Sequence, residues 1–237
     1  MQSNSYVAID IETTGLQPKT DKIIEVGAWK IVNGDVKDSY HSMVNPYRQL
    51  PIRITELTGI TDRLTCDAPD IGSVIHEVAA FCEGFVLLGH RVIFDYSFLK
   101  KAAVNEGLEF EYRGIDTLKL CRRFMPDEEK KNLEQACTFY GVERDGAHRA
   151  LGDARDAHNL YQKLRKEYAG ADPGVFLPEQ LIYKVKREQP PTKKQKEHLR
   201  DLVKYHRIDL TVQIDYLSRN EISRLTDKII SQYGRLS

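Results

Sequence analysis

YVAIDIETTGL, residues 6–16, interleaves apolar and acidic side chains in a way that settles how the surrounding fold is read. Over residues 5–12 the pattern is a β-strand. Val7, Ile9 and Ile11 fall on one face, while Asp10 and Glu12, two apart, share the other. A carboxylate without a partner in an apolar segment is expensive. Two of them side by side on a central strand are placed to share a divalent cation. Gly15 ends the strand and lets backbone approach a ligand closely. The plain alternative for a lone D-x-E is a strand end with solvated acids.

The pattern extends outward on both sides. Residues 22–32 and 35–44 flank Asn33-Gly34, a strong hairpin turn. The first three strands are therefore expected to form an antiparallel meander. Ile71, Val74, Ile75, Val78 and Ala79 recur at helical spacing within 69–83. Phe85–Leu88 reads as a short apolar strand, followed by a helix from about Tyr96 to Glu106. Further helices are expected at 116–124, at 132–140 with Gly141 as C-cap, and from near Ala150 to Tyr168. Strands first, then strands alternating with helices, point to a mixed α/β sheet covered by helices. Prolines and glycines at 170, 173, 174, 178, 190 and 191 mark a linker over 170–191. Beyond it, Thr192-x-x-Gln195 and Ser218-x-x-Glu221 read as capping boxes, each opening an amphipathic helix. The expected organisation is a domain over 1–169, the linker, and a small basic helical module over 192–237.

Two distant segments add chemistry. Asp95, in LLGHRVIFDYSFL, lies near the start of the helix that carries Phe98 and Leu99. Taken alone it is a helix N-terminal acid favoured by the macrodipole. His148 and Asp153, in HRALGDARDAHNL, are five residues apart, about 140° on a continuous helix. His148 is thus placed just before the helix, on an approach loop over 147–149 that Gly146 allows to flex, with Asp153 in the second turn. Four carboxylates gathered in one cleft repel each other unless cations sit between them.

Together the segments resemble the DEDDh 3′→5′ exonuclease family, which includes the epsilon- and PolC-type proofreading domains of bacterial DNA polymerase III. D-I-E-T-T-G-L at 10–16, G-H-x-x-x-F-D-x-x-F-L at 89–99 and H-R-A-L-x-D-A at 148–154 look like its three motifs. L-T-G-I-T at 57–61 matches a family segment that lies against the terminal nucleotide. Arg91 stands where an asparagine is common, and Thr58 where some relatives have histidine. The resemblance implies a ribonuclease-H-like mixed β-sheet flanked by helices, and hydrolysis assisted by two divalent cations, Mg²⁺ or Mn²⁺. It implies that Asp10 bridges the cations, that Glu12 and Asp153 hold the one serving the attacking water, and that Asp95 completes the other site. His148 is the implied general base, because a histidine side chain is the type suited to proton transfer at neutral pH. Thr13, Gly15, Leu57, Thr58 and Phe94 are the expected nucleic-acid contacts, with apolar surfaces stacking the terminal base. For Leu57 and Phe94 core packing is the competing reading. The expected product is a nucleoside 5′-monophosphate. An RNA-directed exonuclease of the same family and a non-catalytic scaffold on the same fold stay open as alternatives.

Composition bounds the partners. The 237 residues are 41% hydrophobic, enough for a real core, and no apolar run approaches the roughly 20 residues of a membrane helix. The N-terminus lacks a secretory pattern, and the four dispersed cysteines form no C-x-x-C pair, so free thiols in the cytoplasm are expected. The zero net charge hides an asymmetry. Residues 1–182 hold 22 Lys+Arg against 28 Asp+Glu, and residues 183–237 hold 13 against 7. The basic end suits a polyanion, or docks on its own acidic body, or is simply solvated. The expected partners are single-stranded nucleic acid or 3′ ends, DNA ahead of RNA, and a polymerase or repair protein through residues 192–237.

Overall fold

The computed structural model describes residues 4–144 and 148–236. It opens with β1 (Tyr6–Thr13), β2 (Ile23–Val32) and β3 (Asp35–Met43), which pair antiparallel as the expected meander. Asn33 and Gly34 both take positive φ, 55° and 93°, the backbone that a tight hairpin with right-handed strand twist requires. Two short helices, α1 (Ile52–Thr58) and α2 (Asp62–Thr65), precede α3 (Ile71–Cys82). Then come β4 (Val86–Gly89), α4 (Val92–Glu106), β5 (Arg113–Asp116), α5 (Thr117–Phe124), α6 (Leu133–Tyr140) and α7 (Ala150–Tyr168). A two-residue β6 (Glu179–Gln180) closes the sheet, in the order β3-β2-β1-β4-β5-β6. The β1–β4 and β4–β5 pairs are parallel.

Alternation along β1 builds a core on each face of the sheet. Val7, Ile9 and Ile11 pack with α3 and α4 residues such as Ile75, Tyr96 and Leu99. Tyr6 and Ala8 face the other way, against Leu160, Tyr161 and Leu164 of α7. Asp10 and Glu12 continue this second face, so they emerge where the first turn of α7 passes over the sheet.

That turn sits on β2 with no room to spare. A Cβ on Gly27 would lie 2.1 Å from the Leu151 amide nitrogen and 2.4 Å from the Ala150 carbonyl carbon. These are backbone atoms, which no rotamer change can move. Gly27→Ala is therefore expected to cost at least the upper end of the roughly 1–3 kcal/mol typical of overpacking. A denaturant midpoint within error of wild type would show that α7 lifts freely.

Segment 170–191, read from composition as a linker, lies along the body. Phe176 is buried in the α7 core, β6 pairs with Arg113 and Gly114, and Leu181 packs in the α3–α4 core. Beyond it, α8 (Lys193–His206) and α9 (Arg219–Tyr233) both begin in complete capping boxes, as expected. They share a small core of Leu199, Leu202, Leu217, Ile222 and Ile229. The module docks on the loop after β3 through Gln49–Thr211 and Gln213–Tyr47 backbone hydrogen bonds, with Tyr47 stacked on Tyr216. The anchoring charge is opposite to the one composition suggests. Glu221, an acid of the basic module, pairs with Lys22 at 3.0 Å and Arg48 at 2.9 Å, both cations of the acidic body. Against burial, Lys22 and the hydrogen bonds from Ser218 hold its carboxyl down at about 2.

Candidate active site

The predicted acids arrive from three elements. Asp10 and Glu12 stand on β1 at positions paired with Gly27 and Glu25 of β2. Asp95 lies in the first turn of α4 and is 3% exposed. This helix starts four residues earlier than periodicity suggests, because Arg91 takes a left-handed φ of 72° while its amide donates to the Asp116 carboxylate. Asp95 Oδ1 in turn accepts the Ile11 amide at 3.2 Å, which ties it to the backbone between Asp10 and Glu12. Asp153 is 8% exposed and sits in the first turn of α7, not the second as its spacing suggests. The helix begins immediately after the approach segment, so five residues suffice to bring His148 and Asp153 to the same place. Glu12, His148 and Asp153 offer ligand atoms within 4.8 Å of one another. The expected flexing residue Gly146 lies outside the described residues.

Electrostatics show the cost of this convergence. Burial is the largest cause raising the Asp10 carboxyl well above its usual range, followed by repulsion from Asp95, Glu12 and Asp153. Burial also raises Asp95, opposed by hydrogen bonds from its own amide and from Ile11. Glu12 is pushed up to about 8, first by burial and then by Asp153 and Glu25. Carboxylates that resist ionising together are what a divalent cation relieves. Oxygen donors with one imidazole suit Mg²⁺ or Mn²⁺ better than a thiolate-seeking ion.

The expected substrate contacts scatter more. Thr13 is 7% exposed and donates from Oγ1 to the Gly15 carbonyl at 2.6 Å. The missing Cβ of Gly15 makes room for Asp21, whose carboxylate would lie 2.5 Å from it. This is a need of its own loop, where the sequence suggests approach to a ligand. Leu57 is 49% exposed on α1. Thr58 is buried, donating to Ile54 O and accepting from the Ile60 amide, so its hydroxyl serves the end of α1. Phe94 is half-buried against Phe98, with ring centroids 5.1 Å apart.

Two further residues carry no signal in the sequence. Glu25, fully buried on β2, holds Arg149, His41 and the Ala150 amide. Arg144 reaches Asp153 Oδ1 with Nη2 and Asp156 Oδ2 with Nε, each at 2.6 Å. It is an internal cation on a candidate metal ligand. Arg144→Met, combined with Asp156→Asn so that no buried charge is stranded, is expected to tighten Mn²⁺ binding ~10-fold, the equivalent of about 1.4 kcal/mol of lost competition. Calorimetry reads this directly, and unchanged affinity would show that the pair yields without cost.

Residues 7–161 match a family model described as exonuclease. The chain is 35% identical over 168 residues to the PolC-type DNA polymerase III of Clostridium perfringens, covering 69% of this chain and 12% of that protein. It is 40% identical over 161 residues to the PolC-type enzyme of Caldanaerobacter subterraneus, covering 67% and 11%. It thus spans about an eighth of the length of the curated relatives it matches. Among solved structures, exonuclease X in complex with 5′ overhanging duplex DNA shares its fold at TM-score 0.57 and 22% identity, over 72% of this chain and 97% of that one. E. coli exonuclease I in complex with a dT13 oligonucleotide shares it at TM-score 0.61 and 16% identity, over 70% and 42%. Across the segment that brings Asp10, Glu12, Asp95, His148 and Asp153 together, the chain belongs to the exonuclease family.

Proposed function

We propose that the protein is a DEDDh-type 3′→5′ exonuclease that releases nucleoside 5′-monophosphates, with DNA 3′ ends as the preferred substrate. The observation that carries this reading is the gathering of Glu12, His148 and Asp153 within 4.8 Å beside the raised carboxyls of Asp10 and Asp95. In this reading Asp10, Glu12, Asp95 and Asp153 hold two divalent cations, Mg²⁺ or Mn²⁺. When bound, the cations stabilise charge on the attacking and leaving oxygens and ease deprotonation of water.

The side chains do the rest. His148 accepts the proton of the attacking water on an imidazole nitrogen. The water oxygen bonds to phosphorus as the phosphorus–O3′ bond of the last linkage breaks, the leaving O3′ takes a proton from solvent, and the phosphate stays on the released nucleotide. Leu57, half exposed, and Phe94 give apolar surface for the terminal base, and with Thr58 spent on its own helix the contact at this position falls to Leu57. Apolar stacking reads no base edges, so little sequence preference follows.

The organisation in this reading is an exonuclease domain over 1–169 and a basic module over 192–237 held at its side. Relatives named PolC-type DNA polymerase III favour DNA over RNA and a replication or repair setting, with a polymerase or repair protein as candidate partner of the module. No helix among the described residues is long and apolar enough to cross a membrane, and the four cysteines are free, which suits the cytoplasm. A time course on 3′-labelled and 5′-labelled single strands, DNA and RNA in parallel, tests direction and substrate. The reading expects immediate release of the 3′ label as mononucleotide and a descending ladder from the 5′-labelled strand. A ladder from the 3′-labelled strand would reverse the polarity, and faster RNA digestion would reverse the preference.

A further inference from the structure

The third motif does not hold its own shape. His148 has φ of +59°, a left-handed backbone that is uncommon for a non-glycine residue and needs support from its surroundings. No side chain caps the start of α7 locally. The restraint comes from the facing strand instead. Glu25, Gly27 and Trp29 are alternate residues of β2 and so share one face. Gly27 lets the first turn of α7 lie directly on the strand. Trp29 donates from its indole to the Leu151 carbonyl at 2.8 Å.

Glu25 makes the charged contact. Its carboxylate accepts Arg149 Nη2 at 2.7 Å and Nε at 3.0 Å, and the Ala150 amide at 3.0 Å. His41 Nε2 of β3 lies 2.7 Å from it on the other side. The carboxylate is fully buried, whereas the Arg149 side chain is half exposed. A buried carboxylate with this many partners is a fixed point, and hydrogen bonds to a charged group are stronger than neutral ones. The two residues it grips are the two that follow His148.

We infer that Glu25 is a positioning residue for His148: by clamping Arg149 and the first amide of α7 it holds the left-handed turn that aims the imidazole at Glu12 and Asp153. Glu25 is built to act on orientation and not as a cation ligand, since its oxygens are already taken. This inference rests on His148 being the general base of the proposed exonuclease. A small misplacement of such a group is costly in rate.

A double-mutant cycle separates positioning from general support of the fold. Glu25→Gln keeps the shape and removes the charge that grips Arg149. In the wild-type background it is expected to lower kcat ~10–100-fold, with KM and the Mn²⁺ midpoint changed less than about 2-fold. In a His148→Ala background, where there is no imidazole to aim, the same substitution is expected to change kcat less than about 3-fold. Factors that multiply in full across the two backgrounds, or an unchanged kcat for Glu25→Gln alone, would overturn the inference. If Glu25→Gln does not fold, Arg149→Ala leaves Glu25 with His41 and Ala150. It is then put through the same cycle, where the same outcomes support or overturn the inference. Failure of the underlying reading looks different: His148→Ala itself would then retain full activity.

Discussion

Replacing His148 with alanine is expected to lower kcat by ~10²–10⁴-fold, the usual contribution of a positioned general base. Mn²⁺ affinity should survive, because the four carboxylates remain. His148 stands within 4.8 Å of Glu12 and Asp153 ligand atoms, close enough that a direct ligand role is the competing assignment. The two assignments part in one titration. A general base predicts a rate that stays low at saturating Mn²⁺ with an unshifted midpoint. A ligand predicts that excess Mn²⁺ restores much of the rate and that the midpoint moves to higher concentration. Asp10→Asn provides the contrast, since it should lose cation binding and rate together.

Without cations, stability is expected to fall as pH rises from about 5 to 8.5, and divalent cation should reverse the trend. The sign follows from the raised carboxyls. In the unfolded chain Glu12 loses its proton near its ordinary 4.5, but in the folded protein it keeps that proton up to about 8. Between those values the folded carboxyl cluster binds more protons than the same groups unfolded, so its contribution falls with each step up in pH. His90 and His158, both pushed down by burial, oppose it below 6.5 and leave the upper part of the window to the carboxyls. Asp10 and Asp95 are displaced in the same direction. A tenfold change in proton affinity is worth about 1.4 kcal/mol. The partial exposure of Glu12 calls for a discount, which leaves a total effect on the order of a few kcal/mol. Mg²⁺ binds the ionised site, so with millimolar Mg²⁺ stability should rise over the same window as protons leave. Thermal unfolding in EDTA and in Mg²⁺ should give curves that diverge toward high pH. Parallel curves would mean that the cluster does not take the ion.

What the sequence reveals and what it hides divide along the range of the interactions. The alternation in β1, the Asn33-Gly34 turn and the capping boxes at Thr192 and Ser218 are local devices, and each forms where the pattern puts it. The start of α4 and the turn holding Asp153 differ from expectation because a distant partner sets them. Arg91 turns left-handed where its amide donates to Asp116, 25 residues further on. The strands β5 and β6, four and two residues long, are too short to show a period. Glu25 looks like one acid in an ordinary strand, since its partner Arg149 lies 124 residues further on. Arg144 is hidden for a different reason: an arginine beside a loop carries no pattern until the carboxylates it meets are placed. The five proposed catalytic positions are legible from a family's motifs, and their convergence on one end of β1 follows from the parallel β1–β4 pairing and the seat of α7 on β2.

The proposed chemistry depends throughout on divalent cations lodging among the carboxylates at the end of β1. Crystals grown with Mn²⁺ and measured at its absorption edge test this most directly. The expected result is anomalous density bounded by Asp10, Glu12, Asp95 and Asp153, with the Arg144–Asp153 contact loosened. Anomalous density elsewhere on the molecule, or none there at saturating Mn²⁺, would contradict it.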